Sequence, residues 1–298
     1  MRRIVAIAVL AMVALTSFPP RASADAALDS LIATERAFAA LSLAKGMREA
    51  FLAYLTEDAI VFQPHAMNGR AFWQARGPSA ATLKWEPAFG AVSSAGDMGY
   101  TCGPWVLQPP PDSSGTPADP GRYLHGHFNS VWKKDKKAGW RVVADIGVTH
   151  GKPERGGVGS GDFTAGPILP IRTMKSSRVN LQDLDRKLSK DMRSKPPREA
   201  LVAHAALDVR FNTEGRMPAV GIDAAQAMLD TLIGFYAFSP QGSQVSRSGD
   251  LGFTYGVAER FVSANAAAAD TSVYLHVWRE DGRAWRLALA VVNPLKRR

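Results

Sequence analysis

A seventeen-residue stretch of this chain occurs twice, 153 residues apart, and this limits the available folds more than any other feature. Residues 87–103 return as residues 240–256 without a gap, and eight of the seventeen positions are identical. The centre of the first copy is Gly96-Asp97-Met98-Gly99-Tyr100-Thr101-Cys102-Gly103. The second reads Gly249-Asp250-Leu251-Gly252-Phe253-Thr254-Tyr255-Gly256. A period this long exceeds a solenoid unit and points to a duplicated domain. In each copy Asp-x-Gly makes a turn, after which residues alternate between two faces of a strand. Met98, Tyr100 and Cys102 share one face. Glycine weakens a strand unless bending or close packing calls for it, so these glycines mark a strong bend or the approach of a helix. Their spacing fits neither a Walker loop nor a dinucleotide fingerprint, and no cofactor is expected.

Residues 1–24 read as an export signal. Arg2 and Arg3 lie before an apolar run, and Ala22-Ser23-Ala24 makes a cleavage site before Asp25. The apolar run is too short to span a bilayer and no later one is longer, so no transmembrane segment is expected. The expectation is a periplasmic or secreted protein, cleaved after Ala24. The formal charge of +9 falls to +6 without Arg2, Arg3 and Arg21, and the remaining basic residues are dispersed. Without a basic stripe interleaved with stacking aromatics, nucleic acid is not an expected partner. Cys102 is the single cysteine, so no intrachain disulfide can form.

The first domain, residues 25–150, opens with Leu28, Leu31, Ile32, Phe38 and Leu41 near the helical period, stopped by Gly46. A second helix (47–55), a strand (59–63) and a short helix (70–76) follow. Four strands are expected near 82–94, 98–107, 122–133 and 140–149, with a proline-rich loop at 108–121. Residues 151–177 read as a Gly/Pro-rich linker. The second domain, 178–298, repeats the order: helices at 181–192, 197–207 and 223–232, a short strand at 208–211, and four strands near 235–247, 251–261, 271–280 and 284–293. Trp132 and Trp140 correspond to Trp278 and Trp285.

Helices, a short strand, a small helix and then an antiparallel meander resemble the nuclear transport factor 2-like (SnoaL-like, ketosteroid isomerase-like) superfamily. The strings EDAIVF, WEPAFGAVSSAGDMGYTCG and WRVVADIGV are similar to its exported subfamily of unknown function. The resemblance implies an α+β chain of two tandem cone-shaped domains, each a curved antiparallel sheet wrapped around N-terminal helices. It also implies a cavity under each sheet, and an intrachain pseudo-dimer or a homo-oligomer. Activity does not follow, because the superfamily holds isomerases, dehydratases and pure binding modules.

Comparing the copies nominates a site in the first. If the last hairpin pairs Trp132 with Trp140, His127 lies opposite Asp145, whereas Val273 lies opposite Ala290 in the second copy. His127 and Asp145 then form a general-base pair, and the resemblance to isomerases of this fold implies Tyr100 as an oxyanion-type donor; these three are the candidate catalytic residues. A hydrogen-bonded pair that only closes the sheet is the alternative. Candidate ligand contacts are His125, His127, Tyr100, Trp85 and Trp73. His125-x-His127 with Asp145 has metal-ligand character but no evident fourth ligand, so no metal is assigned. Asp58, His65, His204 and His276 read as turn or packing residues. The leading expectation is a small, largely apolar or mixed-polarity ligand in the first cavity. Isomerase- or dehydratase-type proton transfer and a non-catalytic interaction module are the alternatives.

Overall fold

The computed structural model describes residues 20–116, 118–169, 179–231, 234–263, 266–282 and 284–295. Most of the expected export signal and part of the expected linker lie outside them. The first half runs α1 (Pro20–Lys45), α2 (Met47–Tyr54), β1 (Leu55–Phe62), β2 (Ala66–Asn68) and α3 (Gly69–Gln74). Strands β3 (Thr82–Trp85), β4 (Phe89–Val92), β5 (Met98–Gln108), β6 (Leu124–Asp135) and β7 (Gly139–His150) complete it. After β8 (Thr164–Ala165) the second half repeats the pattern. It comprises α4 (Leu181–Ser194), α5 (Pro197–His204), β9 (Ala205–Thr213), β10 (Ala219–Val220), α6 (Ile222–Asp230), β11 (Phe235–Val245), β12 (Leu251–Phe261), β13 (Ala268–Asp281) and β14 (Ala284–Pro294).

The chain is α+β, with one sheet in each half. The first sheet runs β2-β1-β7-β6-β5-β4-β8 with β3 also on β5, and the second runs β10-β9-β14-β13-β12-β11. The meander strands pair antiparallel, while β1 joins β7, and β9 joins β14, in parallel. The single strand expected at 82–94 is two. The chain buckles at Glu86 and Pro87 over Gly103, where a Cβ would lie 1.9 Å from the Glu86 carbonyl oxygen. Its counterpart Gly256 would clash with Ser239 at 2.1 Å. Gly99 and Gly252 serve the other role, admitting Leu31 of α1 and Leu181 of α4 to within 2.6 and 2.4 Å of where a Cβ would be.

The helix-covered face of each sheet holds its own core. In the first half Leu31, Phe38, Phe51, Trp85 and Trp132 meet there. In the second Leu188, Leu201, Tyr274 and Trp278 do. The opposite faces pack against each other: Phe89, Tyr100, Cys102, Val131, Ile146 and Val148 meet Leu251, Phe253, Leu275, Val277, Leu289 and Val291 in one cluster.

The repeated Asp-x-Gly turns close this interface reciprocally. Asp250 accepts from the Ser94 amide at 3.0 Å, and Asp97 accepts from the Arg247 amide at 3.1 Å. Ser94 and Arg247 are the same position of the two copies, as are Asp97 and Asp250. The repeat therefore records a pseudo-twofold contact. Part of the expected linker folds back on the first half: β8 pairs with β4, and Leu169 is buried in the cluster between the sheets.

Candidate functional site

The register of β6 against β7 decides which side chains reach the first cavity. A lysine-rich turn joins these strands, and Asp135 pairs with Gly139, one residue beyond the expected centre. A bulge between Val131 and Trp132 adds a further shift. Trp132 therefore pairs with Val142, Ser130 with Asp145, and His127 with Val148. The expected His127–Asp145 pair does not form, because an odd offset sends the partners to opposite faces. The second half shows the same correction: Val273 pairs with Asn293, and His276 with Ala290.

His127 and Tyr100 lie on the inter-sheet face, away from the cavity. Tyr100 is fully buried there, and desolvation pushes its phenol well above the usual range. His127 Nδ1 and His150 Nε2 are 2.7 Å apart. His150 Nδ1 lies 2.6 Å from the Gly151 carbonyl, which can only accept. So His150 Nδ1–H donates to Gly151, and in that tautomer its Nε2 accepts a hydrogen bond from His127 Nδ1–H. Burial first, then His150 and Arg210, hold His127 down to about 3, a neutral residue without a base's proton affinity. His125 shares this face and lies near the surface. The histidines and Asp145 therefore cannot share a metal, and no metal-holding cluster of His, Cys, Asp or Glu occurs among the described residues.

Asp145 does face the cavity, opposite Ser130, whose hydroxyl donates to it at 2.6 Å. The cavity encloses about 630 Å³. Phe38, Phe51, Trp73, Trp85, Trp105 and Phe128 wall it, so Trp73 and Trp85 are lining residues. Phe51 and Trp73 stack at 4.4 Å, and Phe38 meets Trp85 edge-on at 4.8 Å. The Trp73 indole N–H is buried without a partner. The rim comes from both halves: Gln63, Pro64 and Thr149 from the first, Glu214, Asn293 and Pro294 from the second. Glu214 Oε2 accepts from the Thr149 amide at 2.7 Å, and Asn293 Nδ2 donates to the Gly147 carbonyl at 3.1 Å.

One cavity residue went unrecognised in the sequence. Glu35 sits on the buried stripe of α1, between Leu31 and Phe38, with no exposed surface. It accepts from the Trp85 indole at 2.7 Å, the Thr101 hydroxyl at 2.7 Å and the Trp132 indole at 3.1 Å. Burial drives its carboxyl up to about 7; the hydrogen bonds oppose this and the Asp145 charge adds to it. Burial likewise raises Asp145 to about 6, against the Ser130 hydrogen bond. Asp145 keeps some surface toward the cavity although protein surrounds it. The missed signal was an acid at the apolar spacing of an amphipathic helix.

The second half repeats the buried acid and changes its surroundings. Asp185 of α4 accepts from Tyr274 at 2.7 Å and from Trp278 at 3.0 Å, with His276 Nδ1 also at 3.0 Å. By strand register Tyr274 stands where Phe128 does, His276 where Ser130 does, and Ala290 where Asp145 does. The remaining cavity holds about 370 Å³. His204 pairs with Asp191 of α4, Asp208 with Arg279, and Asp58 and His65 are exposed.

No family model matches the chain, and no curated protein does. Solved structures do match. A ketosteroid isomerase-like protein from Erwinia carotovora atroseptica is 16% identical, with 42% of this chain and 100% of that one covered at a TM-score of 0.34. A nuclear transport factor 2-like protein with a cystatin-like fold from Novosphingobium aromaticivorans is 20% identical, covering 39% and 80% at 0.32. A nuclear transport factor 2-like protein from Cytophaga hutchinsonii is 16% identical, covering 41% and 100% at 0.32. These neighbours are nuclear transport factor 2-like and ketosteroid isomerase-like folds.

Proposed function

We propose that the chain is an exported protein of two tandem domains that binds a small, largely apolar molecule in the cavity of its first half. The observation that carries this is the 630 Å³ aromatic-walled space with Asp145 in its wall. Sites of this kind combine apolar walls with few polar groups, and the polar groups fix orientation. Export rests on the basic, apolar and small-residue order of residues 1–24. No helix among the described residues is long and apolar enough to cross a membrane.

The test is a cavity-filling variant. Gly147 lies on the cavity face, and a Cβ there would meet its nearest atoms, the Trp105 indole nitrogen and the His127 carbonyl oxygen, at 3.5 and 3.8 Å. Gly147→Trp should abolish binding of whatever co-purifies with the protein from its native compartment, read by native mass spectrometry, with the fold intact by circular dichroism. A co-purifying ligand retained by this variant places binding elsewhere.

A second reading is proton transfer of isomerase or dehydratase type. Asp145, at about 6 in an apolar surround, suits a general acid or base. His127 and Tyr100 take no part in it.

A further inference from the structure

We infer that the first cavity selects organic cations, an ammonium carried on an apolar or aromatic body, over neutral or anionic molecules of the same shape. This deepens the ligand-binding reading above and rests on it.

The charge of the lining is one-sided. Glu35, Asp145 and Glu214 contribute carboxyl groups, and no lysine, arginine or histidine lines the cavity among the described residues. Yet the whole chain carries a formal +9. A surface drawn at random from such a chain would be basic, so a cavity bearing only acids departs from the background. The three acids come from separate elements: α1, β7 and the turn after β9. No basic side chain shares this lining, although Glu214 also borders the second half's cavity, whose wall includes Arg216 and Arg260. Their hydrogen-bond partners are donors without charge: indoles, hydroxyls and the Thr149 amide.

The walls supply the second half of an ammonium site. Three tryptophans, Trp73, Trp85 and Trp105, line the same space. Indole faces carry negative electrostatic potential and are the best aromatic partners for a cation. In a partly desolvated site such contacts, together with Coulomb attraction to carboxylates, outweigh what either provides in water. An anion would meet three acids and aromatic faces, both unfavourable. A neutral hydrocarbon would fill the walls but leave the acids without a counter-charge. A cation beside Asp145 and Glu35 returns both toward their ionised forms, against the burial that raises them.

The experiment titrates the full chain by tryptophan fluorescence with phenyltrimethylammonium, its neutral isostere tert-butylbenzene, and benzoate. The quaternary cation does not titrate, so any pH dependence belongs to the protein. The cation should bind at least about tenfold more tightly than the isostere. Its affinity should rise from pH 5 to 7.5 as Asp145 and Glu35 ionise. Asp145→Asn should remove most of the preference. The second half carries Ala290 at that position, so Asp145→Ala is a second variant the fold can accept. Glu214→Gln, on the exposed rim, should weaken the cation several-fold. If the isostere binds as tightly as the cation, or benzoate binds best, the inference is overturned and an apolar site remains. If none of the three binds, the ligand-binding reading falls with it.

Discussion

Replacing Glu35 by glutamine should change how stability depends on pH, with a size set by where the carboxyl titrates. In the folded chain burial raises it from 4.5 to about 7, and the three hydrogen bonds only partly offset that. Unfolded, it takes its ordinary value near 4.5. Below pH 4.5 both states hold the proton, and the side chain's contribution is fully present. As pH rises, the unfolded chain ionises first and stability is lost, until the folded carboxyl ionises near pH 7. Each tenfold difference in proton affinity is worth ~1.4 kcal/mol, so the window from 4.5 to 7 costs the wild type about 3 kcal/mol. Glutamine keeps the shape and cannot titrate. Asp145 loses stability in the same direction between 3.8 and about 6, but it does so in both proteins. The difference between them isolates Glu35. Urea unfolding at pH 4.5, 5.5, 6.5 and 7.5 measures it: Glu35→Gln should gain about 3 kcal/mol on the wild type across that range. Parallel stability curves would refute the assignment of a raised, buried Glu35.

The reciprocal turns make a second expectation. Asp250→Ala removes an acceptor from the Ser94 amide and from the Ser246 and Ser248 hydroxyls, and should cost ~1–3 kcal/mol in urea unfolding. Asp97→Ala, its pseudo-symmetric partner, should cost a similar amount, and an unaffected double variant would remove the pseudo-twofold contact from the account. Gly103→Ala must displace the Glu86 carbonyl and should destabilise by several kcal/mol, whereas Gly77→Ala meets nothing within 4 Å and should stay within about 0.5 kcal/mol. Thermal unfolding of the two variants side by side checks both.

The gap-free repeat was enough to read two copies of one architecture, because a duplicated motif needs no packing information to recognise. The helices of the first half were legible for the same kind of reason: Leu28, Leu31, Ile32 and Phe38 keep their period whatever they pack on. Strand partners were not legible at single-residue precision. A turn centred one residue further along moved the partners next to it by two, and a bulge after Val131 moved those beyond it, His127 and Ser130 included, by three, while side chains alternate with a period of two. Asp145 was found because the comparison of copies set an acid against Ala290. The same comparison drew attention to His127 against Val273, which lie on the inter-sheet face. Glu35 and Asp185 escaped because the helical stripes were read for their apolar members. The acid interrupting each stripe, between Leu31 and Phe38 and between Leu181 and Leu188, was the informative residue. The share of the rim supplied by Glu214 and Asn293 depends on how the halves pack, which no local pattern encodes.

What the two halves kept and what they changed separates interface from site. The most faithfully repeated residues, Ser93 with Ser246, Asp97 with Asp250 and Gly99 with Gly252, tie the turns together or admit the helix. Each aspartate bonds the other copy's turn, so neither can drift alone without leaving a buried amide unpaired. The least repeated positions line the cavity. Ser130 against His276, Phe128 against Tyr274 and Asp145 against Ala290 replace the acidic wall of the first cavity, and the second half keeps a smaller cavity of about 370 Å³. In the second half Tyr274, His276 and Trp278 all contact Asp185, the hydroxyl and the indole as donors. In the first half the smaller Ser130 leaves space, and a second acid, Asp145, occupies the opposite strand. Glu35 is thus the shared structural acid, and Asp145 is the residue the first copy adds. The second copy also shapes the first cavity, because its Glu214, Asn293 and Pro294 complete that rim. The packing of the two halves is therefore part of the cavity, and the motif that most plainly announces the duplication preserves the packing on which that shared rim depends.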